Sequence, residues 1–459
     1  MFNRLRIRTA LIALAALCVA MPPSVAAQTE TDVTRRIDEY VSAHAATSDF
    51  SGVVLLAKDG KLLFLKSYGL ASREWQVPNA PDTKFRIGSI TKPFTAMLVM
   101  QLHARGELQP GDSICRFLSP CPDAWQPVTI HHLLTHTSGI RSHTSIPAWQ
   151  ARNMAPHTAD EVVGYIRDLP LRSAPGARHA YNNSGYFLLG LVIEKVTGRK
   201  YEEVLKERIL APLGMIDSGY DWPGTIIPRR ASGYDGRGAT LRNTPSIDMH
   251  SVFASGAMYS TALDLLKWDQ ALYGETLLPD ALKSTMWTPA LDNYAYGWEI
   301  AAPSPKTFGH ARMSHSGGIN GFGANLIRVP EARLTAIVLS NNEAAPATLI
   351  SNDILSIYYG TSVTPPAARA VATVDPANYD RYAGQYRLPS GAVLTISREG
   401  DKLFAHAPGP GTFELTPESD TRFFSDTPET TITFTVDGNV VTQLVLNLGG
   451  RDRIARRVQ

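Results

Sequence analysis

The hydrophobic and polar positions of the chain fall into runs that predict distinct elements. Residues 33–46 read as an amphipathic helix. The stretch "FSGVVLLAKDGKLLFLKSYGLA" consists of two β-rich runs hinged at Asp59-Gly60, which predicts a β-hairpin. From 89 to 105 the apolar residues Ile90, Phe94, Met97, Leu98, Met100 and Leu102 occupy most faces of a helical pattern, so that helix is expected to be buried, with Gly106 as its stop. Residues 128–270 carry mostly helical patterns broken by loops, and "GANLIRVPEARLTAIVLSNN" predicts two more strands around a turn at Pro330. Strands at both ends of a long helical insert imply one sheet assembled from distant segments, with helices packed on it.

The pattern then changes. Residues 360–376, "GTSVTPPAARAVATVDP", are rich in Pro, Ala and Thr and read as a linker. Beyond it several short strands alternate with Glu-Gly, Asp-Gly and Gly-Gly turns, the signature of a small all-β module, either a sandwich or a barrel.

Length and charge narrow the picture. A chain of 459 residues is too long for one ordinary core, and a formal charge of +2 without a basic run along its body argues against a nucleic-acid partner. The N-terminus is different in kind. "MFNRLRIR" supplies three Arg, "TALIALAALCVAM" is an apolar run shorter than a membrane span, and Val25 and Ala27 are the small residues of a cleavage site. This is the layout of a signal peptide, residues 1–27, with Leu17 ahead of Cys18 too large for lipoprotein processing. Its removal takes away three Arg and no acid, and so moves the formal charge from +2 to −1. The expectation is an exported protein, periplasmic or secreted, with no integral membrane segment after cleavage. Cys115 and Cys121 then remain as an even pair on a short Pro-containing loop, expected to form a local structural disulfide.

Three places can carry chemistry. In "FRIGSITKPFTAML", Pro93 lies only a few residues into the helical pattern, where its missing N–H matters least, so the helix is expected to open at about Ser89. Ser89 and Lys92, three residues apart, then share one face of an electropositive first turn, where a perturbed Lys can accept a proton from Ser. The alternative is a helix cap beside a surface Lys. The second place, Tyr181-Asn-Asn183, precedes an apolar helix ending near Gly198, with Asn183 or Ser184 as its cap. The third, His315-Ser-Gly317, is a Gly-rich turn before or within a strand pair; read without function it is a tight bend with an exposed His. His132 and His136 have an i, i+4 spacing, but no Glu adjoins the first and Leu133-Leu134 signals a buried helix, so no metal is expected.

Taken in order, these motifs resemble those of the serine β-lactamase and penicillin-recognising peptidase superfamily, in the class C-like branch that also holds D-aminopeptidases and esterases. "TIHHLLTHTSGI", "ASGAMYSTALDLLKWDQAL", "YGW" and "VLSNN" extend the likeness over about residues 35–355. The resemblance implies an α/β fold for residues 28–359, an antiparallel sheet flanked by helices plus a mostly helical subdomain, ahead of the linker and the all-β module at 377–459. It implies a serine hydrolase that needs no cofactor and acts on an amide or ester of a small D-amino-acid or peptidoglycan-type peptide, or on a short-chain ester. The alternatives are a β-lactamase, or a slowly acylated penicillin-binding sensor with little turnover.

Carried over to this chain, Ser89 is the acylated nucleophile, Lys92 its proton partner, and Tyr181 the group that relays a proton to the leaving group. Which of Tyr181 and Lys92 takes the first proton stays open. Asn183 bonds the substrate amide or orients Lys92, the N–H groups of Ser89 and Gly318 form the oxyanion hole, and His315 with Gly317 lines the substrate site. His315 departs from the pattern, since Lys is usual there, and a largely neutral His weakens recognition of a substrate carboxylate.

Overall fold

The computed structural model describes residues 29–47, 50–366, 371–388, 391–407, 411–426, 429–438, 440–448 and 451–458. The signal-peptide reading of residues 1–27 lies outside them. Among the described residues, no helix is long and apolar enough to cross a membrane.

The predicted hairpin forms from β1 (Gly52–Lys58) and β2 (Lys61–Tyr68), with both turn residues, Asp59 and Gly60, at positive φ. This is the turn whose twist matches that of the strands it joins. Far along the chain lie β3 (Glu299–Ala301), β4 (Arg312–Ile319), β5 (Phe322–Val329) and β6 (Leu334–Ser340). β5 and β6 flank the expected turn at Pro330. Together the strands make an antiparallel sheet in the order β3-β4-β5-β6-β1-β2. The central pairing aligns Gly52 with Ser340 and Lys58 with Leu334.

β5 is buried at every position, because the sheet has a core on both faces. Val53, Leu55, Leu326 and Ile337 point into one apolar cluster, and Val54, Leu56, Ile327 and Val338 into the other. The second face is covered by α1 (Glu30–Thr47), whose Val33, Ile37 and Val41 are buried, and by the helix Ala347–Tyr358. The first face is covered by α2 (Thr91–Ala104) and by the helix Ala262–Ala271. A buried ion pair joins the last of these to the sheet: Arg328 of β5 reaches Asp269 at 2.8 Å, with side chains 1% and 0% exposed.

Between β2 and β3 the chain forms the helical subdomain. Cys115 and Cys121 form a disulfide there, with Cα atoms 5.4 Å apart. The C-terminal strands, from Gly384–Arg387 to Arg451–Arg457, close into an antiparallel barrel, which settles the choice between barrel and sandwich. Tyr382, Tyr386, Phe423 and Phe434 fill its interior. The aromatics of "TRFFSD" are therefore core residues.

The Arg328–Asp269 pair generates a stability prediction. Removing one partner strands a buried charge, so Asp269→Ala should lower the unfolding free energy by about 3–5 kcal/mol. Urea titration of the two proteins measures the difference, and a loss below about 1 kcal/mol would refute this account of the pair.

Candidate active site

Ser89 lies in a 3-10 turn, Gly88–Ile90, that runs directly into α2. The α-helix thus starts at Thr91, slightly later than its sequence suggests, with Pro93 as its third residue. The turn presses against β4. Gly88 has φ +51°, and a Cβ there would lie 2.9 Å from both N and O of Gly318; a Cβ on Gly317 would lie 2.0 Å from the Ile87 carbonyl oxygen. Only glycine permits this approach. The approach sets the backbone of Gly318 beside the half-buried Ser89.

Lys92 is 0% exposed, and its Nζ lies 2.9 Å from Ser89 Oγ, 2.9 Å from Asn183 Oδ1 and 2.8 Å from the Ser255 carbonyl oxygen. No carboxylate pairs with it among the described residues, and burial holds its pKa well below the ordinary lysine value. Oδ1 and the carbonyl only accept hydrogen bonds, so they take both N–H groups of a neutral amine. The lone pair is then left for the Ser89 hydroxyl.

Each of those acceptors is fixed by its own element. The Asn183 amide is oriented because its Nδ2 donates to Thr144 Oγ1 at 3.1 Å. Ser255 ends the 3-10 turn Phe253–Ser255, and Phe253 adopts φ +44°, ψ −137°, a region that disfavours any side chain. Packing of the Phe253 ring against Phe187 and Tyr201 holds it there, and Thr95 Oγ1 donates to the Ala254 carbonyl at 2.7 Å.

Tyr181 precedes the helix α3, Asn183–Thr197, which ends at Gly198 in the left-handed region. The cap of α3 is Asn182, whose side chain accepts from Gly185 N at 3.2 Å, rather than Asn183 or Ser184. That leaves Asn183 free to face Lys92. Tyr181 and Ser89 line the same cavity, and the Tyr181 ring lies 4.8 Å from Lys92 Nζ. The residue is 43% exposed to the cleft, but its hydroxyl is enclosed, which pushes its pKa up.

Two residues of the third motif differ from expectation. His315 is on β4 and 1% exposed, not at an exposed bend. Its Nδ1 donates to the Ser316 carbonyl at 2.6 Å, so Nε2 is the acceptor for the Tyr294 hydroxyl at 2.9 Å. Burial pushes its pKa down to about 3. A neutral ring with both nitrogens engaged has nothing left for a direct bond to substrate. Gly317 is buried and acts by close approach, whereas Gly318, on the same strand, is open to the cleft.

Ser89 and Gly318 belong to two adjoining cavities. One, of 200 Å³, includes Thr144, Trp149, Asn183, Val252, Asn320 and Glu343. The other, of 420 Å³, includes His179, Tyr181, Asp292, Tyr294, Glu299 and His315. Neither lining contains a Lys or Arg, and its charged residues are Asp292, Glu299 and Glu343. Sequence reasoning missed Ser255, whose contribution is a main-chain carbonyl, Thr144, in the short 3-10 turn His143–Ser145, and Tyr294 and Glu343, which lie outside helices and strands. His132 and His136 do not share a helix face: the helix Ile130–Leu134 has ended, and His136 has φ +57°. No metal-binding group of three or more His, Cys, Asp or Glu occurs among the described residues.

Known proteins share this architecture. Residues 37–356 match the family model described as Beta-lactamase, and residues 368–452 match a domain of unknown function, DUF3471. Penicillin-binding protein 4* of Bacillus subtilis is 30% identical over 440 residues, covering 89% of this chain and 95% of its own length. Among solved structures, the octameric penicillin-binding protein homologue from Pyrococcus abyssi is 26% identical with a TM-score of 0.65, covering 92% of this chain and 99% of its own. The D-amino acid amidase from Ochrobactrum anthropi is 25% identical with a TM-score of 0.62, over 72% of this chain and 98% of its own. With a matched model spanning most of its length and Ser89, backed by the buried Lys92, in the cleft, the chain belongs to the beta-lactamase family of serine hydrolases, extended by a C-terminal DUF3471 barrel.

Proposed function

We propose that the chain is an exported hydrolase that cleaves an amide or ester through an acyl-enzyme on Ser89, and that its substrates lack a carboxylate beside the scissile bond. The observation that carries the reading is the buried Lys92 nitrogen, 2.9 Å from Ser89 Oγ and held by two groups that only accept hydrogen bonds. Lys92 takes the hydroxyl proton as Oγ attacks the carbonyl carbon. The N–H groups of Ser89 and Gly318 stabilise the oxyanion, Ser89 N–H being free of an intrahelical partner in the opening turn. Tyr181, in the same cavity as Ser89, passes a proton to the departing amine or alkoxide. Water then releases the acyl group by the reverse route. Export rests on the basic and apolar composition of residues 1–27.

The substrate class follows from charge. Asp292 and Glu299 on the Tyr181 side repel an anionic leaving group, and neutral His315 supplies no countercharge. That disfavours β-lactams and peptides ending in a free carboxylate, and favours D-amino-acid amides and short-chain esters. The name of the Ochrobactrum relative agrees with this choice.

Three outcomes are expected. First, intact-mass spectrometry with nitrophenyl esters, D-alanyl amides and a chromogenic cephalosporin should show a transient adduct with rapid release. Ser89→Ala should lose the adduct and at least about 10⁴-fold in turnover; near-normal activity in that variant would refute the assignment, and a lasting adduct with little product would instead favour a sensor. Second, kcat/KM should rise with pH through the lowered pKa of Lys92, because the neutral amine is the active form. Asn183→Asp sets a carboxylate beside the amine, favours its charged form, and should move this acid limb to higher pH; a fixed or lowered limb would exclude Lys92 as its source. Third, Glu299→Lys should raise kcat/KM for a carboxylate-bearing leaving group about tenfold relative to a neutral ester, a shift of about 1.4 kcal/mol. Equal effects on both would remove charge as the basis of selection.

A further inference from the structure

His136 takes no part in the chemistry described, yet it is held in a left-handed conformation, φ +57°, two residues beyond the helix Ile130–Leu134, and is 2% exposed. Its main-chain carbonyl accepts the N–H of Ala180 at 2.9 Å, and its ring Nδ1 accepts the N–H of Asn182 at 3.2 Å. Those two donors flank Tyr181. Between them the Tyr181 ring lies against the imidazole, with centroids 4.4 Å apart, and Tyr294 packs on the same imidazole at 4.5 Å.

Simple core packing does not account for this histidine. Because the Asn182 N–H donates to Nδ1, the ring proton is on Nε2, which has no hydrogen-bond partner among the described residues. A leucine or phenylalanine would fill the space without an unpaired polar atom. A glycine or asparagine would accept the backbone conformation with less strain. What the histidine adds is an acceptor at Nδ1 and a flat ring at the back of Tyr181.

Tyr181 needs such support. It belongs to no helix or strand, and only its neighbours' main-chain bonds fix its backbone. The two segments already run side by side, with Arg172 N donating to Gly139 O at 2.7 Å and Gly176 N to Thr137 O at 2.8 Å. The bonds to His136 are the rungs nearest Tyr181. We propose that His136 is a positioning residue, which clamps the 180–182 backbone from its own carbonyl and its ring and so sets the Tyr181 hydroxyl at Ser89. The proposal rests on the reading of Tyr181 as the proton donor to the leaving group.

The test compares phenyl acetate with nitrophenyl acetate, since the poorer leaving group needs the proton more. In Tyr181→Phe the phenyl-to-nitrophenyl ratio of kcat/KM should fall about tenfold. His136→Ala should lower it by a similar factor, and the double variant by less than about twofold more, because both changes remove one function. His136→Asn places Oδ1 where Nδ1 was and tolerates positive φ, so it should stay within about threefold of the parent. Should His136→Ala not fold, His136→Phe, which keeps a ring without the acceptor, replaces it in the cycle. A ratio that falls in Tyr181→Phe but not in the His136 variants, losses that add, or a failure of Asn to rescue would each overturn the positioning role. A Tyr181→Phe ratio equal to the parent's would overturn the donor reading itself, and the clamp with it.

Discussion

An ammonium group taken out of water without a counter-ion does not keep its charge, and the site is organised around that constraint at Lys92. The sides of α2 that sink it in the protein are apolar, and the groups that meet its nitrogen, Asn183 Oδ1, the Ser255 carbonyl and Ser89 Oγ, are uncharged. A carboxylate in any of these places would restore the proton and end its usefulness as a base. The strained backbone at Phe253 and the capping of α3 by Asn182 make sense in the same light, since each brings a neutral acceptor to a nitrogen that needs its lone pair directed.

The same desolvation acts on the neighbours of Lys92. His315 is kept neutral by burial, so it offers the cleft no positive charge. The acidic residues on the walls then dominate the field felt by a substrate.

Elements with local signals were readable in the chain. The Asp59-Gly60 hairpin, the buried helix after Ser89, the strand pair around Pro330 and the β-rich C-terminus all carry their own turn or period. Ser89 and Lys92 were readable because helix geometry alone puts residues three apart on one face. What escaped depends on long-range packing. Nothing local separates Asn182 from Asn183 as the cap, and that choice is made by what each side chain meets across the fold. Read without function, His315 looks like a residue of an exposed bend because the glycines after it suggest a turn; in the structure Gly317 lets β4 approach the Ile87 carbonyl, and His315 is buried on the same strand. Ser255 acts through its main chain, which no residue type announces. His136 drew notice for a spacing to His132 that its own positive φ abolishes.

The central pairing of the sheet has a consequence for how the molecule comes into being. Ser340 donates from its hydroxyl to the Ser51 carbonyl, across 289 residues of sequence, and β1 has β6 as one of its two neighbours. Whereas the longest-range pairing of the barrel, Tyr386 with Arg457, spans far fewer residues, the hairpin therefore waits with one edge unpaired until nearly the whole hydrolase region has left the ribosome. Contacts of such long range form slowly. The hydrolase region, despite its large core, is thus slow to complete and aggregation-exposed, and the smaller barrel has the shorter path to its native state.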